Sequence, residues 1–267
     1  MQYGGTMNTC VRIKSEICCK FSLLLVVSVL VTVTSSADCR AADPGAKLAV
    51  LCHEFNALNT AVRDNTIKKP AAKVKFRTLL ENIRKEYYSS GGGDYATDRW
   101  VFPLQGYGYD AIGGVGGSGY QRGGYNYFDG NRHSGHPSHD IFIHDRKQVS
   151  IDNVTGKPVH VLSVTGGIVV AEEREWQPDS SLRGGKYIWI YDPTSNALVY
   201  YAHNSMLHVE VGELVKPGDI IADVGRTGLN AHKKRSPTHL HITYLSIVDG
   251  LPVPKNIYRE LLGCTLL

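Results

Sequence analysis

Two histidine-bearing runs constrain how this chain can fold more than any other feature. Arg132-His133-Ser134-Gly135-His136-Pro137-Ser138-His139-Asp140 and Thr238-His239-Leu240-His241 stand about a hundred residues apart. If both serve one metal ion, the fold must carry separate elements to a single point. A catalytic zinc takes three protein ligands and keeps a fourth position for water. No His-Glu-x-x-His helix is present, so the ligands must come from strands and turns. On a strand, residues two apart share a face at roughly 6.5–7 Å. His239 and His241 therefore face one side and Leu240 the other, and the apolar residues that follow imply burial on both faces. His136 and Asp140 are separated by three residues, with Pro137 and Ser138 bending the chain so that a turn entering a strand can aim both at one ion. Each motif is weak alone, because such pairs often arise by chance.

Composition narrows the alternatives. Of 267 residues, 42% are hydrophobic and 20% charged, as in an ordinary globular protein, enough for one sizeable domain and a smaller one. The formal net charge is +4. Arg12, Lys14 and Lys20 against Glu16 supply +2 of it, which leaves +2 for the rest, too little and too unpatterned for nucleic acid. The basic region ending at Lys20, the apolar run Phe21 to Val33, and Ser35 and Ala37 before Asp38 follow the order of a secretory signal peptide over residues 1–37. The apolar run is short for a membrane anchor, so no stable span is expected after cleavage. The protein is expected to be exported, to a periplasm or the extracellular space. Cys39, Cys52 and Cys264 remain beyond the signal, an odd number. One disulfide and one free thiol is the simplest outcome, with Cys39–Cys52 and Cys52–Cys264 equally arguable. None has CxxC spacing, so a metal must be held by His and Asp.

Along the chain, residues 38–90 read as helical. Leu48, Leu51, Phe55, Leu58 and Val62 form one apolar stripe; Phe76, Leu79, Ile83 and Tyr87 form another. Joined through Asp64-Asn65, with Pro70 near the second start, they predict a helical hairpin, read chiefly as a pedestal and otherwise as a pro-segment or targeting element. Residues 91–127 read as a Gly/Tyr-rich linker or loop: nine of the nineteen positions from Gly106 to Gly124 are glycine. From Phe128 the pattern is β. Hairpins are expected around Thr165-Gly166-Gly167, around Asp192-Pro193-Thr194-Ser195-Asn196 and at Asp249-Gly250. Residues 128–267 thus form a mainly β, antiparallel domain behind an N-terminal helical hairpin, with only Asn256 to Leu262 helical at the end.

Taken together, the motifs resemble those of the lysostaphin/LytM-like zinc endopeptidases. The shared marks are His136-Pro137-Ser138-His139-Asp140, then Tyr200-Tyr201-Ala202-His203, then His239-Leu240-His241, in the family's order. The links Gly156-Lys157-Pro158-Val159, Val215-Lys216-Pro217-Gly218-Asp219, Val224-Gly225-Arg226-Thr227-Gly228 and Asp249-Gly250-Leu251-Pro252-Val253 are similar to the family's as well. The resemblance covers about residues 128–260. It implies a LytM-like antiparallel sheet, Zn2+ held by His136, Asp140 and His241, and His203 and His239 flanking the activated water as general base and oxyanion stabiliser. It also implies peptidoglycan peptides as substrate. The alternative it carries is a non-catalytic LytM-like module that binds the cell wall or activates another wall hydrolase. Ser138 departs from the family, which usually has glycine there. His139, adjacent to Asp140, is expected to point away from it. His53, His133, His144, His160, His208 and His232 have no motif support. The helical hairpin or the Gly/Tyr loop, lying before this domain, is a candidate cover for its groove.

Overall fold

The structure is a computed structural model that describes residues 44–267; the expected signal peptide and Cys39 lie outside the described residues. Helices α1 (Pro44–Arg63) and α2 (Lys69–Ser89) form the predicted hairpin. The link between them turns at Asn65, whose φ of +56° suits a residue that tolerates the left-handed region. The stripes are those read from the sequence: Phe55 and Phe76 are fully buried with ring centroids 5.5 Å apart, flanked by Leu48, Leu58, Leu79 and Ile83. Each such side chain contributes about 1.5–3 kcal/mol by leaving water. No helix among the described residues is long and apolar enough to cross a membrane.

The β strands are β1 (Ser138–Phe142), β2 (His160–Leu162), β3 (Gly167–Glu173), β4 (Lys186–Asp192), β5 (Ala197–Asn204), β6 (Met206–Leu207), β7 (Leu214–Val215), β8 (Ile220–Asp223), β9 (His239–Val248) and β10 (Leu251–Pro254). A short helix, α3 (Tyr258–Leu262), follows. The large sheet runs β1-β9-β5-β4-β3-β7, with β10 also paired to β9; every pairing is antiparallel. A second sheet runs β2-β8-β6. The fold is mainly β and antiparallel, with the helical hairpin packed on the large sheet.

Alternation decides which face each residue takes. Ile188, Ile190, Val199, Tyr201, Leu240, Ile242 and Tyr244 face a core shared with the small sheet. Tyr187, Trp189, Tyr191, Leu198 and Leu245 face the other way, into a cluster with α1, α2, Tyr127 and Phe128. The large sheet is therefore buried on both faces, and the helices are part of its packing.

Two expectations are corrected. Thr165-Gly166-Gly167 is not a hairpin turn, because β2 pairs with β8 while β3 pairs with β4 and β7; the segment crosses between sheets. Its glycines serve close approach instead: a Cβ on Gly167 would lie 2.1 Å from the Tyr191 carbonyl oxygen, and one on Gly166 would meet the Tyr95 ring. Cys52 and Cys264 do not pair with each other: among the described residues both are free, one in the helix-side cluster and the other against the opposite core, while the Cys39–Cys52 pairing involves a residue outside those described. The hairpins at 192–196 and at Asp249-Gly250 are present, the latter with φ of +50° and +72° as a two-residue type I′ turn requires.

Candidate metal centre

Three adjacent segments deliver the histidines. In the large sheet Asp140 on β1 lies directly opposite His241 on β9, which lies opposite Ala202 on β5; His239 lies opposite Phe142. His203 follows Ala202, and its φ of +69° swings the side chain out of the strand's alternation toward the same side. His203 stands with ring centroids 4.9 Å from His239 and 5.3 Å from His241. His136 precedes β1 and packs edge-on to His241 at 4.8 Å. All five sequence-predicted residues meet in one cleft of about 300 Å³.

Their hydrogen bonds fix which ring nitrogens carry protons. A carbonyl only accepts, so a ring nitrogen facing one must donate. His136 Nδ1 faces the Gly119 carbonyl at 2.9 Å, His203 Nδ1 the Thr227 carbonyl at 2.8 Å, and His239 Nδ1 the Pro237 carbonyl at 2.7 Å. Each neutral ring therefore presents an Nε2 lone pair to the cleft. His136 Nε2 lies 3.2 Å from Asp140 Oδ1, His241 Nδ1 lies 2.9 Å from the same oxygen, and His239 Nε2 lies 3.7 Å away. A lone pair against a carboxylate repels unless a cation, proton or metal, sits between them. The hydrogen bond to Asp140 accordingly raises the His136 pKa over the opposing effect of burial. Burial disfavours ionised Asp140, but the bonds from His136 and His241 outweigh it and hold the carboxyl well below the usual range. Burial also pushes His203 well below its ordinary value, helped by the neighbouring His239 and His241.

The donor set suits a zinc-like ion. His136, Asp140 and His241 offer two imidazole nitrogens and one carboxylate oxygen, all within 4.8 Å of one another. His203, His239 and His241 form a second possible trio that shares His241. The first trio contains the negative charge that a dication needs, and two of its three residues are the ones crowded on one oxygen.

The surrounding loops hold this arrangement through their backbones. The Gly/Tyr stretch is more than a connector: Gly119 orients His136, Gln121 pairs with it in a short antiparallel bridge, and Gly113 N donates to the Asp140 carbonyl at 2.8 Å. The turn at 224–228 supplies the Thr227 carbonyl, and Gly228 permits it: a Cβ there would lie 2.4 Å from the Arg183 carbonyl and 2.9 Å from His203 Nδ1. Ser138, where glycine was the family's habit, adopts ordinary strand geometry; its Oγ bonds Thr243 Oγ1 at 2.6 Å. His139 points away, to Asn256 Oδ1 at 3.0 Å and onto the Tyr120 ring.

Sequence reasoning missed most of the cleft wall. Tyr187, Trp189 and Tyr200 form its floor, with Trp189 and Tyr200 4.5 Å apart and Tyr200 next to His241 at 6.2 Å. Helix α1 contributes Asn59 and Arg63; Asn59 bonds the hydroxyls of both Tyr127 and Tyr187 at 3.0 Å. His133, without motif support in the sequence but placed there to border the groove, does line the cleft. Its main-chain carbonyl accepts from Arg183, and burial together with that guanidinium lowers its pKa to about 4. Besides the place of His133 next to the His136 motif, the parity of Tyr200 with Ala202 was the only sequence signal for these wall residues.

With this geometry in view, residues 145–253 match peptidase family M23. That stretch is M23-like. The match begins after His136 and Asp140, which the β1–β9 pairing nevertheless joins to it. Among solved structures, LytM from Ruminococcus gnavus is similar at 23% identity over 84% of this chain and 83% of that one, with a TM-score of 0.44. The antimicrobial peptidase lysostaphin from Staphylococcus simulans is similar at 22% identity over 62% of this chain and 54% of its own, TM-score 0.37. A zinc-containing peptidase from Vibrio cholerae is similar at 22% identity over 63% of this chain and 41% of its own, TM-score 0.37.

Proposed function

We propose that this chain is an exported zinc-dependent endopeptidase that cleaves peptide bonds in the stem peptides or cross-links of peptidoglycan. The observation that carries the reading is the crowding of His136 Nε2 and His241 Nδ1 on one oxygen of Asp140, beside two histidines whose Nε2 lone pairs face the same cleft. His136, Asp140 and His241 would hold the ion. A bound zinc supplies polarisation of the scissile carbonyl and a water of lowered pKa.

The remaining work falls to the protein's own groups. His203 Nε2, kept as an acceptor by the Thr227 carbonyl, takes a proton from the attacking water and returns it to the leaving amine. Once protonated, His239 Nε2 donates to the carbonyl oxygen as negative charge builds there. The two imidazoles are equivalent in tautomer, so these roles are interchangeable between them. The Tyr187-Trp189-Tyr200 floor orients an extended peptide and keeps water from its flanks. The peptidoglycan assignment rests on the family resemblance, and the peptide bond as target rests on the M23 match.

Mass spectrometry of fragments released from purified peptidoglycan tests the proposal. Release is expected to stop on chelation, to return with Zn2+, and to be absent in His241→Ala. Cleavage undiminished in His241→Ala refutes the mechanism. Wall binding with no released fragment in the zinc-loaded protein instead identifies the non-catalytic module.

A further inference from the structure

The outer face of the three-stranded sheet holds a second pair of histidines on one carboxylate. His160 on β2 pairs directly with Asp223 on β8, and Asp223 pairs on its other side with Met206 on β6. His208, two residues beyond Met206, continues that edge: its N–H bonds the Ile221 carbonyl at 2.9 Å. The intervening Val161, Ala222 and Leu207 point into the core, while Met206 is exposed. Strand alternation therefore sets His160, Asp223 and His208 side by side on the solvent face. His160 Nδ1 lies 2.6 Å from Asp223 Oδ1, and His208 Nε2 lies 2.9 Å from Oδ2.

We propose that His160, His208 and Asp223 form a second divalent-metal site, for a zinc-like first-row ion. The three donor atoms lie within 4.8 Å of one another and come from three separate segments, so the sheet itself sets their spacing. Two imidazoles and a carboxylate favour Zn2+, Ni2+ or Cu2+ over Mg2+ or Ca2+, which prefer oxygen throughout. The carboxylate is the fixed element: its side chain is 12% exposed, and its backbone carbonyl accepts from Ser205 N and Oγ. The histidines, 39% and 31% exposed, leave an open outer side for the ion and its remaining water ligands.

Binding requires each ring to turn a lone pair toward the carboxylate in place of an N–H. Neither His160 Nε2 nor His208 Nδ1 has a protein hydrogen bond among the described residues to oppose that change of tautomer. The same freedom makes this ion weaker than one in the cleft, where backbone carbonyls already orient the rings. The site shares no residue with the cleft cluster and stands whether or not the proposed peptidase activity does. Once occupied, it ties β2, β8 and the segment after β6 together.

Calorimetric titration of the chelator-stripped full chain with Zn2+ tests it, using the unchanged protein, a His160→Gln/His208→Gln double variant, Asp223→Asn and His241→Ala. Two ions per chain are expected in the unchanged protein. The weaker one should be lost, with Kd raised more than tenfold, in the double variant and in Asp223→Asn, and kept in His241→Ala. Zn2+ beyond one equivalent should raise the Tm of the unchanged protein but not of the double variant. A double variant that binds as many ions, with the same Tm response, overturns the site. A single ion lost only in His241→Ala overturns it too. A single ion lost only in the double variant upholds this site and removes the support for the cleft.

Discussion

Gly228→Ala is the sharpest test of how the cleft is held. Gly228 has φ of +115°, and an added Cβ would sit 2.4 Å from the Arg183 carbonyl oxygen and 2.9 Å from His203 Nδ1. Restoring ordinary contact needs a shift of about 1 Å, and both neighbours are main chain or tied to it: His203 N bonds the Gly184 carbonyl, and His203 Nδ1 bonds Thr227. The unfavourable backbone region costs about 1–3 kcal/mol, and the overpacking adds about 1–3 kcal/mol. A loss of roughly 2–6 kcal/mol in urea unfolding is therefore expected. Gly156→Ala is the control, with φ of +69° but nothing within 4 Å of the added Cβ; it should lose only about 1–2 kcal/mol. Because His203 must move, peptide release should fall about a hundredfold in Gly228→Ala and stay unchanged in Gly156→Ala. If the two variants unfold together and both cleave at full rate, the backbone positioning of His203 is refuted.

Three further outcomes are expected. A fragment starting at Phe128 should fail to give a cooperative unfolding transition, since it loses the helix side of the shared cluster and the Gly119 carbonyl; a stable, active fragment would instead make the N-terminal region a removable cover. Ser138→Ala should cost about 1 kcal/mol by removing a buried hydrogen bond to Thr243, and Ser138→Gly should cost more; stabilisation by glycine in chemical denaturation would show that a glycine-type backbone is preferred there. Asp145 is buried, which opposes its charge, but bonds from Thr238 Oγ1 and the Val149 and Ser150 N–H groups prevail and depress its pKa. Its contribution is thus present above the unfolded value near 4 and lost as pH falls; Asp145→Asn should flatten the acid limb of a stability–pH curve, and an unchanged limb would contradict this.

Much of the fold was legible because its signals are local. Leu48, Phe55 and Val62 repeat at helical spacing, Asp249-Gly250 spells a tight hairpin, and His239 and His241 share a strand face by parity alone. The crossing at Thr165-Gly166-Gly167 was misread because apolar runs around paired glycines look the same whether the flanking strands pair or part. Only the partners, β8 on one side and β4 with β7 on the other, distinguish the cases. The cleft's five central side chains could be read as motifs, but its walls could not. Asn59 and Arg63 reach it through helix packing, and Gly119 acts through a carbonyl that every residue type possesses.

That last feature bears on how such a site can change over time. The orientation of His136, His203 and His239 is read out from main-chain oxygens at Gly119, Thr227 and Pro237. Replacement of a neighbouring loop side chain leaves such an oxygen in place so long as the backbone path survives. Selection can therefore reshape what the rims of the cleft touch while the chemistry beneath stays constant, and the loop changes that would silence it are those that break the backbone path, insertions, deletions or a side chain at Gly228, rather than ordinary side-chain exchanges.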